Sequence, residues 1–268
     1  MLKFNYSLFF VLLFLIPNLI EAQTEESASA EELAKQLANP IAALISVPLQ
    51  NNFDFGVGPL DGFKYTLNAQ PVIPISIGEN WNMISRTILP IISQSDVTGN
   101  GNNETGLGDI AQSIYFSPKE QKKGLVWGVG PILLLPTATN DFLGLNKWAA
   151  GPNALVLKIK GQWTYGGLVN HMWSYAGNGL NDVNVTFFQP FITFASKTGA
   201  SVTLASENTQ SWDNDVFSGF VGVYYSKVLS IGKQMMQLGG GPKLFYGNNV
   251  YNAEWGIRAN IILLFPKK

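Results

Sequence analysis

Residues 253–265 read AEWGIRANIILLF, and the alternation in this stretch decides the fold. Every second residue, from Ala253 through to Phe265, is apolar. The other register begins with Glu254, Gly256, Arg258 and Asn260. A period of two indicates a β-strand with two different faces. The rest of the chain must therefore show whether the apolar face lies against a protein core or against lipid.

The composition excludes several classes of function. Only 13% of the 268 residues are charged, which is about half the usual share of a soluble domain. The net charge of −1 provides no basic field for nucleic acid, so we expect no nucleic-acid partner. The chain has no cysteine, and it shows no glycine-rich phosphate loop, metal-ligand cluster or catalytic carboxylate pair. We therefore expect neither a cofactor nor a bound metal.

The N-terminal region divides into two segments. Residues 1–22 contain a lysine, the apolar run LFFVLLFLI and a final alanine, which together predict a secretory signal peptide. The apolar run is too short to cross a bilayer core of about 30 Å. In residues 23–43, Ser29 and Glu32 form a capping box that predicts a short helix over about residues 30–38. This helical segment is either a loose tail or a candidate plug for a barrel mouth.

Residues 44–268 form a series of extended segments separated by Gly, Pro, Asn and Asp. The twelve predicted strands are 44–56, 63–77, 81–96, 106–117, 124–136, 148–159, 161–175, 183–196, 200–208, 216–230, 234–246 and 253–265. Short turns and longer polar loops alternate along the chain. This sorting is typical of an up-and-down outer-membrane barrel with both termini on the short-turn side.

The segment 161–175 indicates which face meets lipid. Aromatic residues occupy both ends of its odd register, with smaller residues between them, and its even register is mostly polar or small. These lipid-interface aromatics are Trp163, Tyr165, Trp173 and Tyr175, and Trp255 has a similar place in the last strand. Aromatic girdles of this kind mark the two membrane–water interfaces of a transmembrane strand.

We therefore predict an all-β fold, a transmembrane antiparallel up-and-down β-barrel of about 12 strands with a short N-terminal helix. The apolar faces should meet lipid, the polar faces should line the lumen, and the last strand should close the barrel against the first. The faces of 81–96, 183–196 and 216–230 do not sort cleanly, which we attribute to bulges. The run Gly239-Gly240-Gly241 also indicates a bulge or a kink.

Charged and polar residues in the strand registers should face the lumen, because ionisable groups are costly in lipid. The lumen-lining candidates are Asn68, Gln70, Arg86, Asp109, Lys243, Glu254, Arg258 and Asn260. Two interpretations remain open for this set. It forms either a salt-bridge network that stabilises the barrel or a constriction that selects solutes.

The motifs NPI at 39–41, SVP at 46–48, GLGD at 106–109, QPF at 189–191 and LFPK at 264–267 resemble one family. It comprises Gram-negative outer-membrane transporters grouped with the meta-pathway phenol-degradation barrel proteins and sometimes mislabelled neuromedin U. The resemblance implies a bacterial outer-membrane barrel for the uptake of small, often hydrophobic or aromatic, molecules. The chain departs from many outer-membrane barrels at its end, where Phe265 is followed by Pro-Lys-Lys instead of being terminal.

His171 is the only histidine, so a histidine-dependent lipid hydrolase would need it as the base. The nearby Ser174 lies in the opposite register of the same segment, which argues against a nucleophile–base pair. We therefore expect a non-enzymatic passive channel. Two alternatives remain: an outer-membrane lipid hydrolase that uses His171, or a plugged barrel with a structural or receptor role. The expected partners are outer-membrane lipid, a small-molecule solute and the barrel assembly machinery, and the oligomeric state stays open.

Overall fold

The chain folds into a closed antiparallel β-barrel. The computed structural model describes residues 24–179, 182–232 and 234–265, so the predicted signal peptide at 1–22 and the last three residues lie outside the described part. The last strand pairs with the first from Ile45↔Phe265 to Phe55↔Trp255. This pairing confirms the predicted closure and leaves the sheet with no open edge.

Among the described residues there is one α-helix, α1 (Thr24–Leu37), followed by fourteen strands. The strands are β1 (Ile45–Val57), β2 (Gly62–Ala69), β3 (Val72–Ile77), β4 (Trp81–Ser95), β5 (Asn103–Leu107), β6 (Ile110–Pro118), β7 (Leu125–Leu135), β8 (Lys147–Lys160), β9 (Trp163–Gly177), β10 (Asn184–Ala195), β11 (Ala200–Ser211), β12 (Val216–Ile231), β13 (Gln234–Gly247) and β14 (Trp255–Phe265). Within the described ranges, α1 is too short and too polar to cross a membrane as a helix.

The fourteen strands make up a barrel of twelve, as predicted, because two barrel strands are interrupted. Both β2 and β3 pair with β4, and they are separated at Gln70 and Pro71. Likewise, β5 and β6 both pair with β4 and are separated at Gly108 and Asp109. Proline has no N–H to donate to the ladder, which accounts for the break at Pro71. At the second break, between β5 and β6, the amide of Gly108 donates to the carbonyl of Pro90 at 2.9 Å.

The connections sort to the two ends of the barrel in the predicted manner. The short-turn end carries the links at 78–80, 119–124, 161–162, 196–199 and 232–233. The long-loop end carries the links at 58–61, 96–102, 136–146, 178–183, 212–215 and 248–254. The link at 212–215 is shorter than predicted, because β11 continues to Ser211 instead of ending at 208.

The exposure of alternate residues shows which face points outward. In β14, Ile257 is 44% exposed, whereas its neighbour Arg258 is 5% exposed. In β9, Trp163 and Trp173 both lie on the exposed face. Ten residues span about 33 Å along a strand, or about 25 Å along the membrane normal at a tilt of about 40°, which matches the apolar band of an outer-membrane barrel.

Helix α1 enters the barrel at the short-turn end. It begins at Thr24, earlier than predicted, so position 29 lies within the helix and not at its start. Ala34 is buried and packs against Ala195 of β10 and Val228 of β12. Beyond the helix, Ile41 is also buried inside the barrel. The N-terminal segment therefore occupies interior space that twelve strands alone would leave open.

The predicted polar lumen accounts for only part of the interior. An apolar cluster fills part of the interior, and it consists of Ile41, Val72, Ile84, Tyr115, Val126, Leu155, Leu157 and Leu168. These side chains come from the N-terminal segment and six different strands, so they meet across the inside of the barrel. The inward faces are apolar here because they pack against one another and against the N-terminal segment.

The same packing explains the strands whose faces did not sort. Val228 of β12 points inward to the helix, and Phe191 of β10 packs against the apolar cluster. The mixed faces of β4 have another cause. Its polar Thr87 lies on the outward face, where it donates to Gln112 of β6 at 2.6 Å. The pairing registers of β10 and β12 run without a shift, so the predicted bulges in these strands are absent.

The position of the apolar band along the strands gives a direct prediction. Val169 lies on the outward face of β9 between Trp163 and Trp173, near the middle of the apolar band. The Val169→Arg substitution should lower the free energy of unfolding by about 2–4 kcal/mol, because it places a cation in hydrocarbon. Equilibrium refolding into phospholipid vesicles in a urea series would measure this change.

Tyr175 provides the matched control for depth, because it lies on the same face at the long-loop end. Tyr175→Arg should cost only about 0–1 kcal/mol at the interface. Equal costs at positions 169 and 175 would contradict the assignment of the membrane band.

Candidate functional site

An ionic cluster lies inside the barrel, formed by Asn52, Asp54, Glu207, Lys243 and Arg258. The guanidinium of Arg258 donates to Glu207 Oε1 at 2.8 Å and to Asn52 Oδ1 at 2.8 Å. Lys243 Nζ lies 2.6 Å from Asp54 Oδ1 and donates to Asn52 Oδ1 at 3.2 Å. Arg258 is on β14 and Glu207 is on β11, with β12 and β13 between them, so this bond crosses the barrel interior.

Aromatic rings form the wall next to the ionic cluster. The Arg258 guanidinium lies 5.0 Å from the ring centroid of Phe220 and 5.3 Å from that of Tyr224. Lys243 Nζ lies 4.9 Å from the centroid of Phe220 and 5.0 Å from that of Phe245. A ring face attracts a cation within about 6 Å, so these contacts add to the ion pairs. Both cations are therefore fixed by carboxylates on one side and aromatic faces on the other.

A second polar group lies on β1 to β4. Arg86 donates to Gln70 Oε1 at 2.7 Å, and the Gln70 amide donates to Gln50 Oε1 at 3.4 Å. Asn68 also donates to Gln50 Oε1 at 3.4 Å. Gln70 is buried and Asn68 is half-buried. These side-chain hydrogen bonds hold the guanidinium of Arg86 through neutral amides and not through a carboxylate.

A cavity of about 190 Å³ separates the N-terminal segment from the barrel wall. Leu37, Phe191 and Ile262 give it an apolar side, while Tyr224, Arg258 and Asn260 give it a polar side. A second cavity of about 320 Å³ lies at the short-turn end, where Glu32, Lys35 and Gln121 line it. A concave space with both polar groups and apolar side chains in its wall is suited to a small amphiphilic molecule.

The lumen-lining candidates occupy five places in the structure. Lys243 and Arg258 belong to the ionic cluster, whereas Asn68, Gln70 and Arg86 form the second polar group. Asn260 lines the smaller cavity. Asp109 instead binds the long loop, where its carboxylate accepts from the amides of Ala138 at 3.1 Å and Leu145 at 2.5 Å. Glu254 is exposed at the long-loop end, just before β14.

The five aromatic candidates all lie on the exposed outer face. Trp163 packs against Phe194 at 5.0 Å between ring centroids, and Trp255 stacks on Phe55 at 4.5 Å. Tyr165 and Tyr175 are exposed, and Trp173 lies 4.1 Å from the ring of His171. The Trp163–Phe194 and Trp255–Phe55 contacts join neighbouring strands, so they stabilise the sheet from its outer side, whereas His171 and Trp173 lie on the same strand.

Three members of the ionic cluster are missing from the sequence candidates: Asn52, Asp54 and Glu207. The first strand did carry a signal for two of them, because its polar register contains Gln50, Asn52 and Asp54. This register resembles the polar register of the last strand. Glu207 had no such signal. It stood at the end of a predicted strand, and its pairing with Arg258 depends on the curvature of the barrel.

His171 and Ser174 do not form a catalytic pair in this structure. His171 Nδ1 lies 2.7 Å from Thr186 Oγ1, which also accepts from the indole of Trp212 at 2.8 Å. Ser174 Oγ accepts from the amide of Val183 at 3.0 Å and donates to Asp182. The two side chains occupy opposite faces of β9, so the histidine is not placed to deprotonate the serine.

One solved structure overlaps nearly the whole barrel. The COG4313 outer membrane channel from Pseudomonas putida F1 aligns with a TM-score of 0.66 and 13% identity, over 84% of this chain and 96% of that chain. The NanC porin gives a TM-score of 0.48 and 10% identity, over 82% of this chain and 100% of that chain. A loop-deletion mutant of OmpT from Vibrio cholerae gives a TM-score of 0.42 and 6% identity, over 82% of this chain and 98% of that chain.

No protein-family profile and no curated protein matches the sequence. Because the sequence identity to the Pseudomonas putida channel is only 13%, the structural likeness shows a common fold and not a common function. The predicted fold is confirmed: the part of the chain that the structure describes is a closed twelve-stranded antiparallel β-barrel with one short N-terminal helix.

The Arg258–Glu207 pair gives a prediction on stability. Glu207→Leu leaves the buried guanidinium without its carboxylate and should lower the free energy of unfolding by about 3–5 kcal/mol. The double variant Glu207→Leu/Arg258→Met should recover most of that loss, because it removes the unpaired charge. Urea unfolding of the refolded barrel would measure both changes.

Glu254→Leu is the matched control, since this glutamate is exposed at the rim and should change stability by less than about 0.5 kcal/mol. Additive losses in the double variant would show that the two side chains act independently.

Proposed function

We propose that this protein is a passive channel of the bacterial outer membrane for small molecules, with the N-terminal segment as its plug. The supporting observation is the cavity of about 190 Å³ between that segment and the barrel wall. Its walls come from both parts, because Leu37 belongs to the N-terminal segment and Arg258 to β14. Movement of the segment would therefore open the cavity toward the short-turn end.

The described part of the plug is held by side-chain packing, which favours its displacement. Near β10 and β12, Ala34 packs with Ala195 and Val228, and Ala30, Leu33, Leu37 and Met235 pack against them. Ile41 also enters the apolar cluster. The barrel strands, by contrast, are joined by continuous backbone ladders. The plug therefore requires much less energy to move than any strand does.

The solute class follows from the interior surface. The cavity has an apolar side and a polar side, and its volume admits only a small molecule. Small hydrophobic or aromatic molecules with a polar group suit this surface better than ions do. The outward apolar belt requires lipid as a partner, and a barrel of this kind needs the barrel assembly machinery to insert.

The two alternatives are less well supported. The lipid hydrolase weighed from the sequence would need His171 beside Ser174, and these two side chains occupy opposite faces of β9. We therefore propose a non-enzymatic role. A permanently plugged barrel with a structural or receptor role differs from a channel in one respect, which is whether the plug moves.

A disulfide lock would test plug movement, because the natural chain has no cysteine. Cysteines at Ala34 and Ala195 would join the helix to β10, where these two residues share a buried cluster. In planar bilayers, the oxidised pair should show low conductance, and reduction should raise conductance at least tenfold. Uptake of graded alcohols and sugars into liposomes should change in the same direction.

The matched control is a pair of cysteines at Leu204 and Val223, which face each other on the outer surface of β11 and β12. Oxidation of this pair should leave conductance unchanged. If reduction of the plug lock also leaves conductance unchanged, and removal of residues 23–43 does the same, the protein is a permanently closed barrel and the channel proposal fails.

A further inference from the structure

We propose that the link at residues 136–146, the mouth link, is the size-selecting constriction at the long-loop end of the channel. Asp109 is the positioning residue that holds this link inside the barrel. The proposal rests on the channel function, because it names what limits solute size at the end opposite the plug. It gives a role to the GLGD segment, residues 106–109, which lies where β5 gives way to β6.

The GLGD segment contains a β-bulge. Leu107 pairs with Ile91 of β4, and Ala111 pairs with Ile88. Three residues therefore lie between the paired positions of β5 and β6, opposite only two residues of β4. A bulge of this kind changes the direction of the side chains next to it. The run at 239–241, where the sequence also predicted a bulge or a kink, pairs with both neighbours without a shift, so that bulge is absent.

The mouth link lies against the inward face of the GLGD segment. Ile92 is buried while its neighbour Ile91 is exposed, so Ile92 points inward, and its partner Gly106 shares that face. A Cβ atom at Gly106 would lie 2.1 Å from Thr139 Oγ1 and 3.2 Å from Leu143 Cδ1. The link therefore occupies the space inside the barrel that a side chain at Gly106 would need.

Gly108 allows the same close approach further along the segment. A Cβ atom there would lie 2.8 Å from Pro90 Cγ and 3.1 Å from the backbone oxygen of Leu143. Leu143 is only 6% exposed, whereas the adjacent Phe142 is 63% exposed. One side of the mouth link is thus packed into the barrel, and its tip stays at the surface.

Asp109 ties the mouth link to the barrel wall at two points. Its Oδ1 atom accepts from the amide of Ala138 at 3.1 Å, and its Oδ2 atom accepts from the amide of Leu145 at 2.5 Å. Hydrogen bonds to a carboxylate are roughly twice as strong as neutral ones. The two amides lie near opposite ends of the link, so one side chain fixes both ends.

The position of the mouth link should select solutes by size more than by charge. A barrel of twelve strands is wider than its own side chains can fill, and a link folded inside it narrows the opening. The side chains that pack on the wall, Thr139 and Leu143, are neutral. The carboxylate of Asp109 is occupied by two backbone amides. Release of the link should therefore admit larger solutes.

Cysteine labelling tests the positioning role in the mature protein in lipid nanodiscs, because the natural chain has no cysteine. Leu143→Cys should react slowly with fluorescein maleimide, and the addition of Asp109→Ala should raise the rate at least tenfold. Asp109→Asn should have a smaller effect, because its single acceptor oxygen can keep one of the two amides. Equal rates at position 143 in all three backgrounds would overturn the positioning role.

Phe142→Cys is the matched control for labelling. This position is exposed in the natural protein, so its reaction should be fast with or without Asp109. A tenfold increase at position 142 as well would show a general loosening of the loops and would overturn the specific role of Asp109.

Liposome swelling tests the selection of solutes. In Asp109→Ala, the swelling rate with the trisaccharide raffinose, relative to that with the pentose arabinose, should rise at least fivefold. Asp96→Ala is the matched control, because the Asp96 carboxylate accepts from the amide of Gly101 at 2.6 Å within its own link. This variant should keep the natural ratio. An equal rise in both variants would overturn the constriction.

Failure of the constriction is distinguishable from failure of the channel. Faster labelling at position 143 with an unchanged sugar ratio in Asp109→Ala overturns the constriction and leaves the channel function intact. If neither sugar enters through the natural protein or through Asp109→Ala, the channel function and the constriction fail together. The labelling rates then still decide whether Asp109 positions the mouth link.

Discussion

The hydrogen bonding of the backbone in hydrocarbon is the constraint on which the rest of this structure depends. Every N–H and C=O at membrane depth needs a partner within the protein, and a closed sheet provides one for each. The pairing of β14 with β1 completes that closure. Once the sheet is closed, alternate side chains must point to lipid or to the interior. The burial of Arg258 beside the exposed Ile257 follows from that geometry.

Closure also creates an interior that the strands alone do not fill. Twelve strands enclose more space than side chains from the wall can occupy, and this protein fills it in two ways. Near the short-turn end, Ile41 and α1 pack against inward apolar residues. Along β11 to β14 and β1, ion pairs and aromatic faces occupy the remaining space. The cavity lies where these two kinds of filling meet, which is why one side is apolar and the other polar.

Several features of the fold could be predicted because they depend on local periodicity. The alternation in 253–265 and the aromatic positions in 161–175 predicted strands and their outward faces, which the exposure of Trp255 and Trp163 matches. The faces of 81–96 and 216–230 could not be assigned from the sequence, because inward residues such as Ile84 and Val228 pack against the N-terminal segment. The candidate site was predicted only in part. Lys243 and Arg258 stood out as rare charges, but their carboxylate partners did not.

The sequence by itself determined the strand number, the order of turns and loops, and the closure of the last strand against the first. These properties follow from a period of two and from turn residues, which are local. Only the tertiary structure decided that Glu207 meets Arg258, that Asp109 binds the long loop, and that Leu37 and Arg258 line one cavity. Such contacts join residues that are far apart in the chain. They depend on the stagger and curvature of the closed sheet and on where the N-terminal segment lies within it.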